Sequence, residues 1–332
     1  GRNRIKSKTG GYMDKNIFKY DKYRLVTRSD FDGLVCAMIL KELGILADIK
    51  FVHPKDVQDG LIELNDRDIL TNLPYDARAG VVFDHHESEM SRNVETLNEK
   101  SANYIINPDA PSAARVVYEY FAKDNVDKLK RITTELMIEV DKADSANYAK
   151  EEIINPSKWT LLNFIMDSRT GLGRFHDFRI SNYNLMMELI DYCLTHSIDE
   201  IMELEDVKER LTLYNEQQEK FKEQLQKIVR IDGKVLILDY RNEEIIYAGN
   251  RFMSYAMYPE IEISINLVKG FKEMNTPLMI GKSIVNKSSN FDIGKICLKY
   301  GGGGHKNAGT CQVDNDKADE ILEKIVREIN SF

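Results

Sequence analysis

The chain has 332 residues, a formal net charge of −8 and 42% hydrophobic residues. This length favours two domains over one, and the apolar content is enough to build buried cores. The negative charge argues against a broad basic face for long nucleic acid, but divalent cations would let acidic ligands hold a small phosphate. No apolar run reaches the roughly eighteen residues of a membrane span, so no membrane partner is expected.

The start of the chain, residues 1–22, is predicted to be a tail without regular structure, because Gly1–Tyr12 is basic, glycine-rich and aperiodic. No secretory signal is expected, since no apolar segment follows the basic start. The cysteines show no Cys-x-x-Cys pair, which predicts reduced thiols in a cytoplasmic protein. They are scattered along the chain at Cys36, Cys193, Cys297 and Cys311.

In residues 23–197 short apolar strands alternate with helical stretches, which predicts an α/β domain with a parallel sheet covered on both faces. The predicted strands are Tyr23–Thr27, Ala47–Val52, Asp68–Leu73 and Gly80–Phe83. The predicted helices are Gly33–Leu43, Ser112–Phe121 and Ile132–Val140. In such a sheet, ligands bind beyond the carboxyl ends of the strands.

Ile198–Ile231 lacks Gly and Pro and has apolar residues at helical spacing, so we predict a long linker helix, with a coiled coil as the alternative. Residues 232–332 are predicted to form a smaller mixed α/β domain. Its predicted strands are Val235–Asp239, Ile261–Val268, Leu278–Val285 and Thr310–Val313, and its predicted helices are Phe291–Tyr300 and Ala318–Ile329.

The first acidic motif contains Asp30 and Asp32, two residues apart where a strand gives way to a helix, and Gly33 permits a tight turn there. Both carboxylates can reach one pair of cations, and hard oxygen ligands suit Mg²⁺ or Mn²⁺. The alternative is that one of these aspartates only caps the helix N-terminus.

The second motif places Asp84, His85 and His86 directly after an apolar strand. Imidazole beside carboxylate shifts the metal preference from Mg²⁺ toward Mn²⁺, although a surface turn is the alternative. Because the ends of parallel strands converge, we expect the two motifs to meet. Asp141 or Asp144, at the end of a later helix, would complete a metal site, unless both belong to a solvated helix end.

A glycine run near the C-terminus, Gly301–Gly304, is followed by His305. Without side chains in the way, the backbone N–H groups can wrap an anion, and the imidazole can donate to a phosphate. The alternative is a flexible loop that ends a helix, but such a loop accounts for one glycine and not for four in a row.

The Asp84-His85-His86 and Gly301–His305 motifs together resemble the DHH phosphoesterase superfamily and its associated C-terminal domain. The resemblance extends over nearly the whole chain from about Tyr23, and bacterial exopolyphosphatase-related proteins and nanoRNases look most similar. It implies a DHH catalytic domain, a linker helix and a substrate-binding domain over the ranges given above.

The resemblance also implies roles for individual residues. The catalytic motif is Asp84, His85 and His86, with His86 supporting its neighbour. The implied metal ligands are Asp30, Asp32, Asp84, His85 and Asp144, with Asp141 as the alternative to Asp144. The implied substrate contacts are Gly301, Gly302, Gly303, Gly304, His305, Ser283 and Lys287.

Two positions depart from the family pattern. Arg28 stands where many relatives carry a histidine, and we assign it to the substrate-binding residues. Asn72 stands where relatives supply an aspartate that bridges two metals, and Asp68 is the alternative residue for that role. A neutral amide bridges cations poorly, so the departures put the occupancy of one metal position in question.

The implied activity is hydrolysis of short phosphodiesters, such as short oligoribonucleotides or small dinucleotides, supported by two Mn²⁺ ions with Mg²⁺ as the alternative metal. The expected partners are a small phosphorylated substrate, short nucleic acid and a second copy of the chain in a homodimer. The alternatives are an exopolyphosphatase or pyrophosphatase, and a nucleotide-binding sensor with a degenerate metal site.

Overall fold

The structure, a computed structural model, describes residues 4–6, 12–85 and 102–332. The chain divides into two compact units. The first unit comprises residues 1–147, 158–167 and 178–209. The second unit comprises residues 148–157, 168–177 and 210–332. His86, part of the predicted catalytic motif, lies outside the described residues.

The first unit is built on a five-stranded sheet in the order β4-β3-β5-β6-β7, in which every pair is parallel. Its strands are β3 (Tyr23–Thr27), β4 (Leu46–Phe51), β5 (Asp68–Thr71), β6 (Val81–Asp84) and β7 (Tyr104–Ile106). The predicted parallel sheet and four of its strands are confirmed. The sequence did not predict β7, because three residues are too few to show a two-residue alternation.

The helices up to residue 228 are α1 (Phe31–Glu42), α2 (Pro54–Gln58), α3 (Ala113–Asn125), α4 (Thr134–Ser145), α5 (Lys150–Ile154), α6 (Lys158–Met166), α7 (Asn182–Thr195), α8 (Ile198–Met202) and α9 (Glu205–Ile228). Helix α1 packs against α3, α4 and α7. Every residue from Phe31 to Leu40 is buried, which explains why α1 is apolar all round rather than on one face.

Both faces of the first sheet are covered, as predicted. On one face Phe83 packs against Phe121 of α3, with ring centroids 5.9 Å apart. Val82, which precedes Phe83 in β6, faces the opposite side of the sheet, because successive side chains of a strand alternate between the two faces. There it joins a buried cluster with Leu70 of β5 and Val57 of α2.

The second unit contains a six-stranded sheet in the order β12-β13-β11-β10-β9-β8, antiparallel except for the β9–β10 pair. Its strands are β8 (Val229–Asp232), β9 (Val235–Asp239), β10 (Ile263–Leu267), β11 (Thr276–Lys282), β12 (Gly303–His305) and β13 (Ala308–Val313). Its helices include α10 (Met253–Met257), α11 (Ile293–Lys299) and α12 (Ala318–Ser331). The prediction of a mixed α/β fold is confirmed.

Two predictions for local structure need correction. The stretch predicted as a tail contains two short antiparallel strands, β1 (Arg4–Lys6) and β2 (Tyr12–Asp14). The side chain of Asn125 bonds both the N–H and the carbonyl of Tyr12, which holds β2 in place. The single helix predicted over Ile198–Ile231 is interrupted before Glu205, and its last residues instead form β8.

Each interruption has a local cause. Ser197 and Glu200 form a capping box that starts α8 as a separate short helix. Val229–Asp232 leaves the helical path because it pairs with β9 around a turn at Gly233, whose φ is 58°. The helices α6 and α7 were not predicted from the sequence. Helix α6 is largely buried and lacks the amphipathic pattern that marks a surface helix.

All four cysteines are buried and free of disulfides. None of the helices in the described part of the chain combines the length and the apolar composition that a membrane-spanning segment needs.

We expect Ser112→Ala to lower the free energy of unfolding by about 1–2 kcal/mol, because Ser112 is the N-cap of α3 and also bonds Asp141. Urea unfolding followed by circular dichroism measures the change. Ser145→Ala is the control: its exposed hydroxyl only bonds carbonyls of its own helix, so the change should stay within about 0.5 kcal/mol. Equal losses in both variants would contradict the proposed importance of this cap.

Candidate metal centre

The first acidic motif lies where β3 ends and α1 begins. Asp30 is the N-cap of α1, and its Oδ1 accepts a hydrogen bond from the N–H of Gly33 at 2.8 Å. A side chain at Gly33 would bring a Cβ within 2.1 Å of the Arg28 carbonyl oxygen, so glycine allows the helix to start this close to the strand. The predicted alternative, in which one of the two aspartates caps the helix N-terminus, therefore applies to Asp30.

Asp32, in the first turn of α1, is 2% exposed. It accepts hydrogen bonds from the backbone N–H groups of Ala113 and Ala114, at 3.2 and 2.8 Å. These groups belong to the N-terminus of α3, where the helix dipole favours a negative charge. Burial and the nearby charges of Asp144 and Asp30 nevertheless raise the pKa of Asp32 well above its ordinary value.

The second motif lies at the end of β6. Asp84, the last residue of the strand, is fully buried and accepts a hydrogen bond from the N–H of His85 at 2.8 Å. The Nδ1 atom of His85 lies 3.0 Å from the carbonyl oxygen of Ala110, so it carries the proton in this contact. That hydrogen bond fixes the ring and presents Nε2 to the site, as is usual for a metal-ligating histidine.

Three of the predicted metal ligands come together. One ligand atom each from Asp32, His85 and Asp144 lies within 4.8 Å of the others. His85 Nε2 is 2.9 Å from Asp144 Oδ2. Burial lowers the pKa of His85, but the hydrogen bond to Asp144 and the charges of three aspartates raise it further, to about 9. The site therefore attracts positive charge strongly.

Asn72, the residue substituted in the second family motif, also lies at this cluster. It follows the end of β5, is 2% exposed, and has a φ of 56° that asparagine tolerates better than most residues. Its Nδ2 donates a long hydrogen bond of 3.4 Å to Asp144. Its Oδ1 is buried without a hydrogen-bond partner among the described residues.

These observations fit a divalent cation. A buried imidazole and two carboxylates provide a mixed nitrogen and oxygen donor set, and an amide oxygen that lacks a partner lies beside them. A cation at this point would offset the excess negative charge, and rotation of the Asn72 side chain would let it bind the amide oxygen as well.

Asp141 is not brought to the cluster. Its Oδ1 accepts from the hydroxyl of Ser112 at 2.8 Å, and its Oδ2 accepts from Arg115 at 2.7 Å. It therefore fixes the start of α3, the helix whose backbone N–H groups hold Asp32. Asp68, the alternative to Asn72, forms an ion pair with Arg24 at 2.8 Å instead.

The predicted substrate residues belong to the second unit. The glycine run is less loop-like than predicted, because Gly303–His305 is strand β12, paired with β13. A Cβ at Gly302 would lie 2.0 Å from the carbonyl oxygen of Thr310, so this glycine is required for packing. A Cβ at Gly303 would meet nothing within 4 Å, which leaves its backbone open to a ligand.

His305 is exposed at the end of this hairpin. Its Nδ1 accepts a hydrogen bond from the N–H of Asn307 at 3.2 Å, so the neutral ring carries its proton on Nε2 and can donate it to a phosphate. Ser283 is buried, and its Oγ accepts from the N–H groups of Val285 and Asn286, which caps a turn. Lys287 is exposed.

Sequence reasoning missed two basic residues near this hairpin. Lys282 directly precedes Ser283, and its N–H donates to the carbonyl of Asn307 beside His305. Burial lowers the pKa of Lys282, and the charge of nearby Lys306 lowers it further. Two lysines this close form a positive patch that suits an anion, and only the fold brings residue 282 next to residue 306.

Comparisons with known proteins add a relative. No protein-family model matches the chain, and none of the curated proteins matches it. Among solved structures, the chain is similar to the pGpG-specific phosphodiesterase PggH from Vibrio cholerae, with 50% sequence identity and a TM-score of 0.79. The match covers 93% of this chain and 99% of that one.

Two more distant structures also match. RecJ from Thermus thermophilus in complex with Mn²⁺ is 14% identical with a TM-score of 0.47, over 96% of this chain and 53% of that one. An uncharacterized protein from Helicobacter pylori is 12% identical with a TM-score of 0.32, over 94% of this chain and 99% of that one. Both similarities are too low to support conclusions about this site.

The fold, the acidic cluster and the relative at 50% identity together define a phosphoesterase of the DHH superfamily, as the sequence motifs predicted. Within that superfamily, the chain belongs to the family that includes PggH. The predicted class of enzyme, a phosphoesterase, is confirmed by this membership.

We expect Asp144→Ala to abolish high-affinity Mn²⁺ binding, because it removes one of three converging ligand side chains. Isothermal titration calorimetry with MnCl₂ measures the affinity. Asp141→Ala, three residues away on the same helix, should weaken Mn²⁺ binding much less than Asp144→Ala, because Asp141 contacts Ser112 and Arg115 rather than the cluster. If Asp141→Ala loses the metal and Asp144→Ala keeps it, the ligand assignment is reversed.

Proposed function

We propose that this protein is a Mn²⁺-supported phosphodiesterase that hydrolyses pGpG and other substrates about two nucleotides long. The main support is 50% identity over 93% of the chain to a pGpG-specific phosphodiesterase. Attack of water on the internal phosphodiester of pGpG, with cleavage of the bond between phosphorus and the 3′ oxygen, would yield two molecules of GMP. The converging Asp32, His85 and Asp144 supply a site for the metal that such a reaction uses.

The proposed metal is Mn²⁺ because the donor set is mixed. His85 contributes imidazole nitrogen, whereas Mg²⁺ prefers an all-oxygen octahedral shell. A bound divalent cation would act as a Lewis acid on a phosphoryl oxygen and lower the pKa of water near it. The protein contributes by holding Asp32 through two backbone N–H groups and by fixing the His85 ring through Ala110.

A phosphate-binding role is proposed for the second unit, considered by itself. The hairpin exposes His305, leaves the backbone of Gly303 uncovered and lies near the basic Lys282 and Lys306. These groups can bind a phosphate through hydrogen bonds and charge. A small number of such groups suits a short substrate, because long nucleic acid needs many basic contacts.

The central test is turnover of pGpG with MnCl₂, followed by chromatography of the released GMP. We expect the highest specific activity with dinucleotides and a steady decline along an RNA series up to about twenty nucleotides, beyond a single-strand site of roughly 4–16. Mn²⁺ should support faster turnover than Mg²⁺.

Two outcomes would contradict this proposal. A flat or rising activity with RNA length would indicate an exonuclease that tracks along a strand. Faster release of phosphate from polyphosphate or pyrophosphate than of GMP from pGpG would indicate a hydrolase of phosphoanhydrides. Asp144→Ala serves as the inactive control for contaminating nucleases in every arm of the assay.

His305→Ala should raise the KM for pGpG by about tenfold or more, because a hydrogen bond to a charged phosphate contributes roughly 1.5–3 kcal/mol. The affinity for Mn²⁺, measured by calorimetry, should not change, since His305 and the metal ligands belong to different units. The control is His196→Ala, whose ring stacks on Tyr192 in the first unit and should leave KM unchanged. A collapse of Mn²⁺ affinity in His305→Ala would instead make His305 a metal ligand.

A further inference from the structure

We propose that the metal centre holds one divalent cation per chain and that the guanidinium of Arg28 supplies the second positive charge for the substrate phosphate. This inference rests on the proposed phosphodiesterase function. It concerns the same site, and it adds the number of bound ions and a role for Arg28.

One cluster of converging ligand side chains is present among the described residues. Among the described residues, the acidic and imidazole side chains that converge on one point are Asp32, His85 and Asp144. Asn72 adjoins this group through its contact with Asp144. With the amide oxygen of Asn72, the set offers four protein ligands, which is enough for a single ion that also keeps positions for water or substrate.

The orientation of Asn72 is consistent with such an ion. Its Nδ2 points at the Asp144 carboxylate, and its Oδ1 lacks a partner among the described residues. The oxygen and nitrogen of an amide can exchange places by rotation of the side chain. Rotation would direct Oδ1 toward the Asp144 carboxylate, which is favourable only when a cation lies between the two oxygens.

Asp30, the remaining carboxylate of the first motif, is committed elsewhere. Its Oδ1 accepts from the N–H of Gly33 at 2.8 Å. Its Oδ2 lies 3.5 Å from Nε of Arg28. A second cation bound by Asp30 would have to displace the guanidinium or share one carboxylate with it at close range. In addition, the neutral side chain of Asn72 supplies no charge to bridge two cations.

Arg28 can take over the electrostatic role of a second ion. Its side chain is 35% exposed, so the guanidinium is held by Asp30 yet accessible to a ligand. A guanidinium stays charged at all physiological pH values and donates paired hydrogen bonds to phosphate oxygens. It therefore provides fixed positive charge beside the cation without needing ligands of its own.

The experiment is a count of bound metal. Wild-type protein is equilibrated with MnCl₂ by dialysis, and bound Mn²⁺ is measured by elemental analysis and by electron paramagnetic resonance. We expect one ion per chain at saturation and a spectrum without coupling between two Mn²⁺ ions. Two ions per chain with a coupled spectrum would overturn the proposal, whatever the activity.

Matched variants test the two residues that set the count. The double variant Arg28→His with Asn72→Asp should bind two ions, because it adds an imidazole and a bridging carboxylate, and aspartate also tolerates the left-handed backbone at residue 72. A folded double variant that still binds one ion would overturn the roles assigned to Arg28 and Asn72.

Arg28→Ala tests the charge itself. It should lower kcat for pGpG by about a hundredfold, as the loss of a transition-state donor does, while the metal count stays at one. Arg28→Lys should recover part of the loss, since it keeps the charge but not the paired donors. Wild-type kcat and KM in Arg28→Ala would overturn the role of Arg28.

The metal count and the activity are separate measurements. Turnover of pGpG with two bound ions would remove this inference and leave the proposed function intact. One bound ion with no turnover of pGpG or of other short phosphodiesters would contradict the proposed function and leave the metal count intact.

Discussion

Mutual repulsion among buried carboxylates is the constraint on which the first unit depends. Asp32 and Asp84 are almost fully buried, and Asp144 lies 2.9 Å from the imidazole of His85. The ligand oxygens of Asp32 and Asp144 lie within 4.8 Å of each other. Like charges this close in a poorly solvated site can remain together only when positive charge or hydrogen-bond donors offset them. The surrounding elements supply those donors, and a divalent cation would supply the remaining charge.

The elements around the site are arranged to place these donors. The parallel sheet brings the ends of β3, β5 and β6 to one edge, which delivers the first motif, Asn72 and the second motif together. The N-terminus of α3 then holds Asp32, and Asp141 holds that N-terminus through Ser112 and Arg115. The two acidic residues at the end of α4 therefore make different contacts: Asp144 is part of the cluster with Asp32 and His85, and Asp141 contacts the N-terminus of α3.

The proposed phosphate-binding surface of the second unit relies on backbone groups more than on charged side chains. Its glycine hairpin packs closely because Gly302 and Gly304 leave no Cβ atoms against the facing strand β13. The same absence of side chains at Gly303 keeps main-chain groups accessible, and His305 is added at the tip. Such a surface binds phosphate through hydrogen bonds and a few nearby lysines, which is compatible with the acidic charge of the whole chain.

Much of this protein is determined by sequence patterns that act locally. Alternating strands and helices specified the parallel sheet, and the two acidic motifs specified a metal site at its edge, because strand ends converge by geometry alone. Residue spacing alone could not separate Asp141 from Asp144, since both lie at one helix end; the family resemblance favoured Asp144, and packing decides which of them meets His85. Nor could residue spacing pair Lys282 with Lys306 or Arg28 with Asp30, because the distance between two charges depends on backbone placement and burial. Tertiary structure decided those contacts, and they set both the metal ligands and the charge around them.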